Sequence, residues 1–150
     1  MRLRDLLDQA SVKIGLESID KEECMEEMVD MLVRSGRIKD RAGALEALRQ
    51  REAKATTGIG KGVALPHGKH ASIPALVAAM GTSSQGIEFD SVDGEPVRMV
   101  VLLLASAAQS GPHLQTLAEI ARLLEIPGFY RKAVAAGTAA ELLALIDSEE

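Results

Sequence analysis

The sequence predicts an α/β fold in which a central β-sheet is covered by helices. Before Ala55, apolar residues recur at the spacing of a helix, and residues suited to helix capping accompany them. Residues 63–105 contain short apolar runs typical of buried strands. After Gly111 the helical spacing of apolar residues returns. Helices followed by strands and then by helices again favour a sheet buried under helices. A chain of 150 residues is long enough for one sizeable core, so we expect residues 1–150 to form a single domain.

Two helices are predicted before the strands. Asp20 can cap the first, Glu23 completes a variant capping box, and Gly36 is a plausible end. Its apolar residues fall on one face: Cys24, Met25, Met28, Val29 and Leu32. The second helix is predicted from about Asp40 to about Arg51. Residues 55–62 hold three glycines and two threonines, so we expect a loop there.

Four strands are predicted next. Residues 63–65 form a short strand that Pro66 and Gly68 stop, and residues 76–80 form another. Residues 87–90 alternate apolar and acidic side chains, as a half-exposed strand does. Residues 97–105 are almost unbroken apolar sequence, which indicates a strand buried on both faces.

Three helical segments complete the prediction. The first follows a loop at residues 106–111, has Ser110 as its expected cap, and ends before Pro127 and Gly128. Its apolar residues are Leu114, Leu117, Ala118, Ala121 and Leu124. The others span about 128–136 and 138–147, and Thr138 with Glu141 forms a capping box for the last one.

Composition excludes several classes of protein. A net charge of -5, 2% aromatic residues and no tryptophan argue against nucleic-acid binding. A single cysteine, Cys24, permits no internal disulfide. The longest fully apolar run, residues 99–105, is far short of the roughly 20 residues of a membrane span. The N-terminus also lacks the apolar stretch of a signal peptide, so we expect a cytoplasmic protein without membrane insertion.

The charge is unevenly distributed. Residues 34–69 hold nine Lys and Arg residues against three acidic ones, whereas the rest of the chain is strongly acidic. Solvated helix faces would explain this pattern. A local positive field that handles an anion would explain it equally well, and both interpretations remain open.

His67 stands out among the three histidines. It lies at the end of a predicted strand, where ligands commonly bind in helix-covered sheets, and Gly68 follows it. The glycine-rich loop at residues 56–62 could bring backbone N–H groups to an anion. Its glycines, at positions 58, 60 and 62, match neither a Walker A loop nor a dinucleotide-binding fingerprint, which excludes nucleotide binding of those kinds.

His113 lies in the first turn of a predicted helix. The positive end of a helix favours an anion and disfavours a charged imidazolium, so the ring should be neutral. His113 could equally be an ordinary polar first-turn residue, and His70 is expected to be a solvated loop residue. Two neutral imidazoles, a glycine loop and nearby Arg51 suit a phosphoryl group. Zinc would want a third ligand at suitable spacing, so we expect no metal.

Four segments carry a resemblance to a known family: Arg51 with Glu52, TGIGKGVALPHGK at 57–69, GIEFDSVD at 86–93, and His113-Leu114 with Leu117-Ala118. With them the sequence resembles the enzyme IIA domain of the fructose/mannitol class of the bacterial phosphoenolpyruvate:sugar phosphotransferase system. The nitrogen-regulatory enzyme IIA proteins share this core. The resemblance implies a mixed sheet flanked by helices on both faces.

The resemblance also implies a function. His67 would carry a phosphoryl group received from the phosphocarrier HPr or its nitrogen-branch counterpart, with no cofactor. His113 would support the ring and the phosphate, and Arg51 would neutralise charge. Thr57 would offer a hydroxyl, and the amides of Gly58, Gly60 and Gly68 would bind phosphate.

The expected acceptor is an enzyme IIB in sugar uptake. The alternative is a regulatory module whose phosphorylation controls binding to partner proteins. A histidine-based hydrolase is disfavoured because the sequence contains no evident pair of a base and its orienting residue.

Overall fold

The computed structural model describes residues 2–150 and contains a six-stranded sheet between two groups of helices. The helices are α1 (Leu3–Leu6), α2 (Lys21–Arg34), α3 (Arg41–Lys54), α4 (Ser110–Glu125), α5 (Phe129–Ala135) and α6 (Ala139–Glu149). The strands are β1 (Val12–Ile14), β2 (Gly58–Gly60), β3 (Val63–Ala64), β4 (His67–Lys69), β5 (Val77–Ile87) and β6 (Val97–Ala105). Short 3-10 turns occur at Gln9–Ser11 and Ala107–Gln109. No helix within residues 2–150 is both long and apolar enough to cross a membrane.

The sheet is mixed, as the resemblance implied. Its strand order is β1-β5-β6-β3-β2, and β4 pairs with β6 beyond the end of β3. The β1–β5, β3–β6 and β4–β6 pairs are parallel, whereas β5–β6 and β2–β3 are antiparallel. Strand β6 is therefore central, and β4, which pairs with it, lies at the edge of the sheet.

Both faces of the sheet are covered, which confirms the predicted fold class. Alternate residues of β6 enter two different apolar clusters, as the pleat of a strand requires. Val100, Leu102 and Leu104 pack in a cluster with residues of α2 and α3. Met99, Val101 and Leu103 pack in a second cluster with residues of α1, α4, α5 and α6. The near-continuous apolar run of β6 is thus explained by burial on both sides.

The predicted caps Asp20 and Thr138 are confirmed, and Asp40, predicted only as the approximate start of the second helix, is the cap of α3. The side chains of Asp20, Asp40 and Thr138 each accept a hydrogen bond from the backbone amide three residues on. The prediction that Ser110 caps α4 is wrong. Ser110 is the first residue of α4, whose N-cap Gln109 makes no side-chain capping bond, because the preceding residues form a 3-10 turn.

The strand prediction differs from the structure at several positions. The predicted strand at 76–80 continues as far as Ile87, the first residue of the predicted strand at 87–90, and the two form one strand, β5, with an irregular register between Thr82 and Ile87. Phe89 lies beyond it and is buried. The predicted loop 55–62 contains β2, and Pro66 does not end the sheet, because the chain pairs again with β6 as β4.

Candidate functional site

A cleft of about 350 Å³ opens at the edge of the sheet, where helices from the two layers approach strand β4. Its lining residues are Ala47, Gln50, Arg51, Lys54, His67, Gly68, Lys69, His113, Leu114 and Leu117. Helix α3 supplies the first four, β4 the next three and α4 the last three. The structure therefore brings four predicted site residues together: His67, His113, Arg51 and Gly68.

The alternation of β4 directs its side chains to the two helix layers. His67 and Lys69 pair with Leu103 and Ala105, which belong to the cluster on the α4 side of the sheet. Gly68 between them faces α3, where a Cβ atom would lie 2.9 Å from the backbone of Ala47. The missing side chain lets α3 pack directly against β4. Gly68 thus brings the helix that carries Arg51 to the cleft.

A substitution at Gly68 should separate these elements. Gly68→Ala would force the α3 backbone away from β4, so we expect the free energy of unfolding to fall by about 1–3 kcal/mol. Gly111→Ala is the matched control, because a Cβ there meets nothing within 4 Å and the residue is helical. That control should be unchanged or up to about 1 kcal/mol more stable. Urea unfolding of both variants measures the difference, and equal stabilities would contradict the role assigned to Gly68.

His67 is half-buried and held in one tautomer. Its Nδ1 lies 2.7 Å from the carbonyl oxygen of Leu65. A carbonyl can only accept, so Nδ1 carries the proton and Nε2 retains its lone pair. Burial lowers the pKa of His67, and the positive charges of Arg51 and Lys69 lower it further, against the opposing effects of the Leu65 carbonyl and Glu52. The ring is consequently neutral near pH 7 and its free nitrogen is nucleophilic.

His113 is a buried partner of this ring. It is 3% exposed, and its ring centroid lies 5.2 Å from that of His67 in an edge-to-face arrangement. Burial lowers the pKa of His113 to about 4, and positive charge at His67 and Lys69 acts in the same direction. Its Nε2 is buried and has no hydrogen-bond partner among the described residues. Such an atom costs about 1–3 kcal/mol of stability, so its presence beside His67 points to a ligand that completes it.

The cleft carries uncompensated positive charge. Arg51, Lys54 and Lys69 line it, and none of the lining residues within the described part of the chain is acidic. None of the ion pairs found within residues 2–150 includes any of these three cations. Arg51 Nη1 donates to the carbonyl of Ala55 (2.9 Å), which fixes the guanidinium, and Lys69 Nζ donates to the hydroxyl of Ser110 (2.8 Å). This environment suits a compact dianion.

Both interpretations of the basic stretch are therefore partly correct. Three of its cations line the cleft. Three others pair with carboxylates elsewhere: Arg37 with Asp8, Arg41 with Asp30 and Arg49 with Glu22.

The glycine-rich loop lies elsewhere. Thr57 is buried, and its backbone N–H and its hydroxyl both donate to Glu52 (2.7 Å from Oγ1 to Oε2). Gly58 packs against Ser91, and Gly60 packs against the 92–93 turn and lines a second cleft. The structure thus does not bring Thr57, Gly58 and Gly60 to the cleft that holds His67, because β2 pairs this loop with β3.

Three neighbours of the predicted site lie in the segments that carry the resemblance but were given no role at the site from the sequence. Glu52 accepts bonds from Thr57 and from Lys21 Nζ (3.2 Å), and so anchors the end of α3 that carries Arg51. No pattern indicated the contact with Lys21, which lies 31 positions earlier. Lys69 could have been placed from strand alternation with His67. Leu114 is 66% exposed beside the cleft, an apolar surface available to a partner.

The chain matches one protein-family model, described as "Phosphoenolpyruvate-dependent sugar phosphotransferase system, EIIA 2", over residues 5–149. It is 36% identical over 124 residues to the fructose-specific EIIABC component of Bacillus subtilis, a match that covers 83% of this chain and 20% of that protein. The chain therefore corresponds to a small part of that relative.

It is also 36% identical over 124 residues to a nitrogen regulatory protein of Bradyrhizobium diazoefficiens, covering 83% of this chain and 80% of that protein. Among solved structures, nitrogen regulatory protein IIA-Ntr from Neisseria meningitidis superposes with a TM-score of 0.87 at 28% identity. That match covers 96% of this chain and 98% of the other.

Proposed function

Because the chain belongs to the EIIA 2 family of the phosphoenolpyruvate-dependent sugar phosphotransferase system, we propose that it is a phosphohistidine carrier. It accepts a phosphoryl group on His67 from an HPr-like phosphocarrier and passes it to an enzyme IIB. The observation that carries the proposal is the neutral ring of His67, with Nδ1 held by Leu65, in a cleft with three unpaired cations and no carboxylate. The proposed donor is cytoplasmic, so the proposal places the chain there too.

The transfer needs no cofactor. The Nε2 lone pair of His67 attacks phosphorus in line, the N–P bond of the donor phosphohistidine breaks, and its electron pair returns to the donor nitrogen. The transition state of such a transfer is loose, so the protein contributes mainly positioning and charge stabilisation. Nδ1–H of His67 stays on the ring and continues to donate to Leu65 O. That bond strengthens as the ring gains positive character.

Two further residues support the phosphoryl group in this proposal. Arg51, fixed by Ala55, offers a charge that needs no reorganisation during transfer. His113, neutral and buried, can donate from Nε2 to a phosphoryl oxygen and so acquires its missing partner. Gly68 lets α3 approach β4, so that Arg51 can act on the same group as His113. Thr57, Gly58 and Gly60 are outside the proposed set because they do not line the cleft.

Incubation with enzyme I, HPr and labelled phosphoenolpyruvate tests the proposal. We expect a single acid-labile, base-stable phosphoryl group on Nε2 of His67, identified by peptide mapping and by the NMR couplings of the phosphorylated ring. A label on another residue, or no label with either HPr or its nitrogen-branch counterpart, would refute it.

A regulatory role is the second candidate. The chain is as similar in sequence to a nitrogen regulatory protein as it is to the sugar-specific relative. This similarity supports a regulatory role, in which phosphorylation of the chain controls its binding to partner proteins. The two roles differ in what the phosphorylated chain does next. Loss of the phosphoryl group to a fructose-type enzyme IIB supports uptake. Retention of the group, with a change in the proteins that the chain binds, supports regulation.

A further inference from the structure

We propose that Lys69 binds the phosphoryl group carried by His67, and that it does so by leaving Ser110. Phosphorylation would then exchange a bond between β4 and α4 for a bond between β4 and phosphate. The inference rests on the proposed function and adds a residue and a conformational consequence to it.

Strand geometry places Lys69 within reach. His67 and Lys69 are alternate residues of β4, paired with Leu103 and Ala105 on one side of the sheet, and both line the cleft. Alternate residues of a strand project in the same direction about 6.6 Å apart. The four-carbon stem of a lysine spans that separation, so Nζ can contact a phosphoryl group bound to Nε2 of His67.

The negative charge of a phosphoryl group would draw the ammonium group of Lys69 away from Ser110. Lys69 is exposed, and its hydrogen-bond partner in the structure is the uncharged hydroxyl of Ser110, at 2.8 Å. It forms none of the ion pairs found within residues 2–150. A phosphohistidine brings about -1.5 to -2 charges and three acceptor oxygens to the same cleft. Hydrogen bonds between two charged groups are stronger than bonds to a neutral hydroxyl, so the ammonium group should transfer to the phosphate.

The bond that Lys69 leaves lies at the start of α4. Ser110 is the first residue of that helix, which begins without a side-chain cap, and the Lys69 bond attaches it to β4. The same turn carries His113, and Leu114 with its exposed side chain follows. Release of Ser110 would loosen the 3-10 turn and the first turn of α4 beside the mouth of the cleft. A partner that contacts Leu114 would thereby meet a different surface in the two states.

A double-mutant cycle tests the exchange. The measured quantity is the equilibrium ratio of phosphorylated to free chain in the presence of an excess of phospho-HPr over HPr. Lys69→Met should lower this ratio by about tenfold, whereas Ser110→Ala, which frees Lys69, should raise it about two- to threefold. In the Lys69→Met background, Ser110→Ala should have no effect. Unchanged ratios in both single variants would overturn the inference, and so would equal effects of Ser110→Ala in the two backgrounds.

Exchange of the backbone amide hydrogens of residues 107–111 and of His113 provides the structural readout. We expect faster exchange on phosphorylation of the wild-type chain, and fast exchange in both states of Lys69→Met. Equal protection in the two states of the wild-type chain would contradict the release of α4. Failure of every variant, wild type included, to accept phosphate would instead overturn the proposed function, and the inference would fall with it.

Discussion

Replacement of His67 by alanine is expected to abolish phosphoryl acceptance, because the free Nε2 of its neutral ring is the proposed acceptor beside the unpaired cations of the cleft. His113 is nearer to the interior and is not expected to substitute for it, since it is only 3% exposed and a donor protein cannot reach it. The measurement is incorporation of label from phosphoenolpyruvate through enzyme I and HPr. The expected incorporation into His67→Ala is below the detection limit, compared with a single group in the wild-type chain.

His70→Ala is the matched control for this experiment. His70 lies three residues further along, does not line the cleft, and uses Nδ1 to accept from the backbone N–H of Ser72 (3.1 Å). Its replacement should leave incorporation unchanged. Circular dichroism and urea unfolding establish that His67→Ala is folded, and folded His67→Ala that still accepts a full equivalent of phosphate would refute the assignment.

The fold could be predicted where local chemistry determines structure. Helix starts could be located at Asp20, Asp40 and Thr138, because each side chain caps backbone N–H groups that need a partner regardless of tertiary context. Residues 97–105 reveal the central strand because burial on both faces requires unbroken apolar sequence. In these places the local preference and the final packing agree.

Elements that depend on distant partners escaped prediction. Strands β1 and β4 have three residues each and exist because β5 and β6 offer edges to pair with. Strand β5 was not predicted as one continuous strand because residues 82–86 in its middle are polar or glycine. Its pairing with β6 is irregular there. Short strands of this kind carry too few residues for an apolar period to be recognised.

The same distinction holds for the site. The run Leu65-Pro66-His67-Gly68 placed a histidine at a strand end. The structure joins it to Arg51, 16 positions earlier, and to His113, 46 positions later. The glycine loop was expected at the cleft because glycine amides can bind anions, but the pairing of β2 with β3 directs it elsewhere. The residue composition of a loop can permit anion binding without determining where in the fold the loop lies.

Because the buried Nε2 of His113 has no partner among the described residues, we expect replacement of His113 to slow phosphoryl transfer without lowering the stability of the protein. Replacing His113 with leucine removes an atom whose hydrogen bond is missing, so the free energy of unfolding at pH 7 should stay the same or rise by up to about 1 kcal/mol. Transfer should nevertheless slow by about 10²- to 10³-fold, the loss typical of one preorganised donor to a developing or transferred anion. Rapid-quench measurement of transfer from phospho-HPr, together with urea unfolding, tests both halves.

His113→Gln is the conservative comparison, because its amide can still donate a hydrogen bond from a similar position. We expect Gln to recover part of the transfer rate that Leu loses, while Leu is the more stable of the two variants, since Gln again buries a polar group without a partner. A leucine variant that transfers at the wild-type rate would remove His113 from the mechanism. A leucine variant that loses several kcal/mol of stability would show instead that the imidazole is kept for packing. An unsatisfied group that weakens the free protein is expected to persist only where a ligand completes it, and a phosphoryl group on His67 would be that ligand.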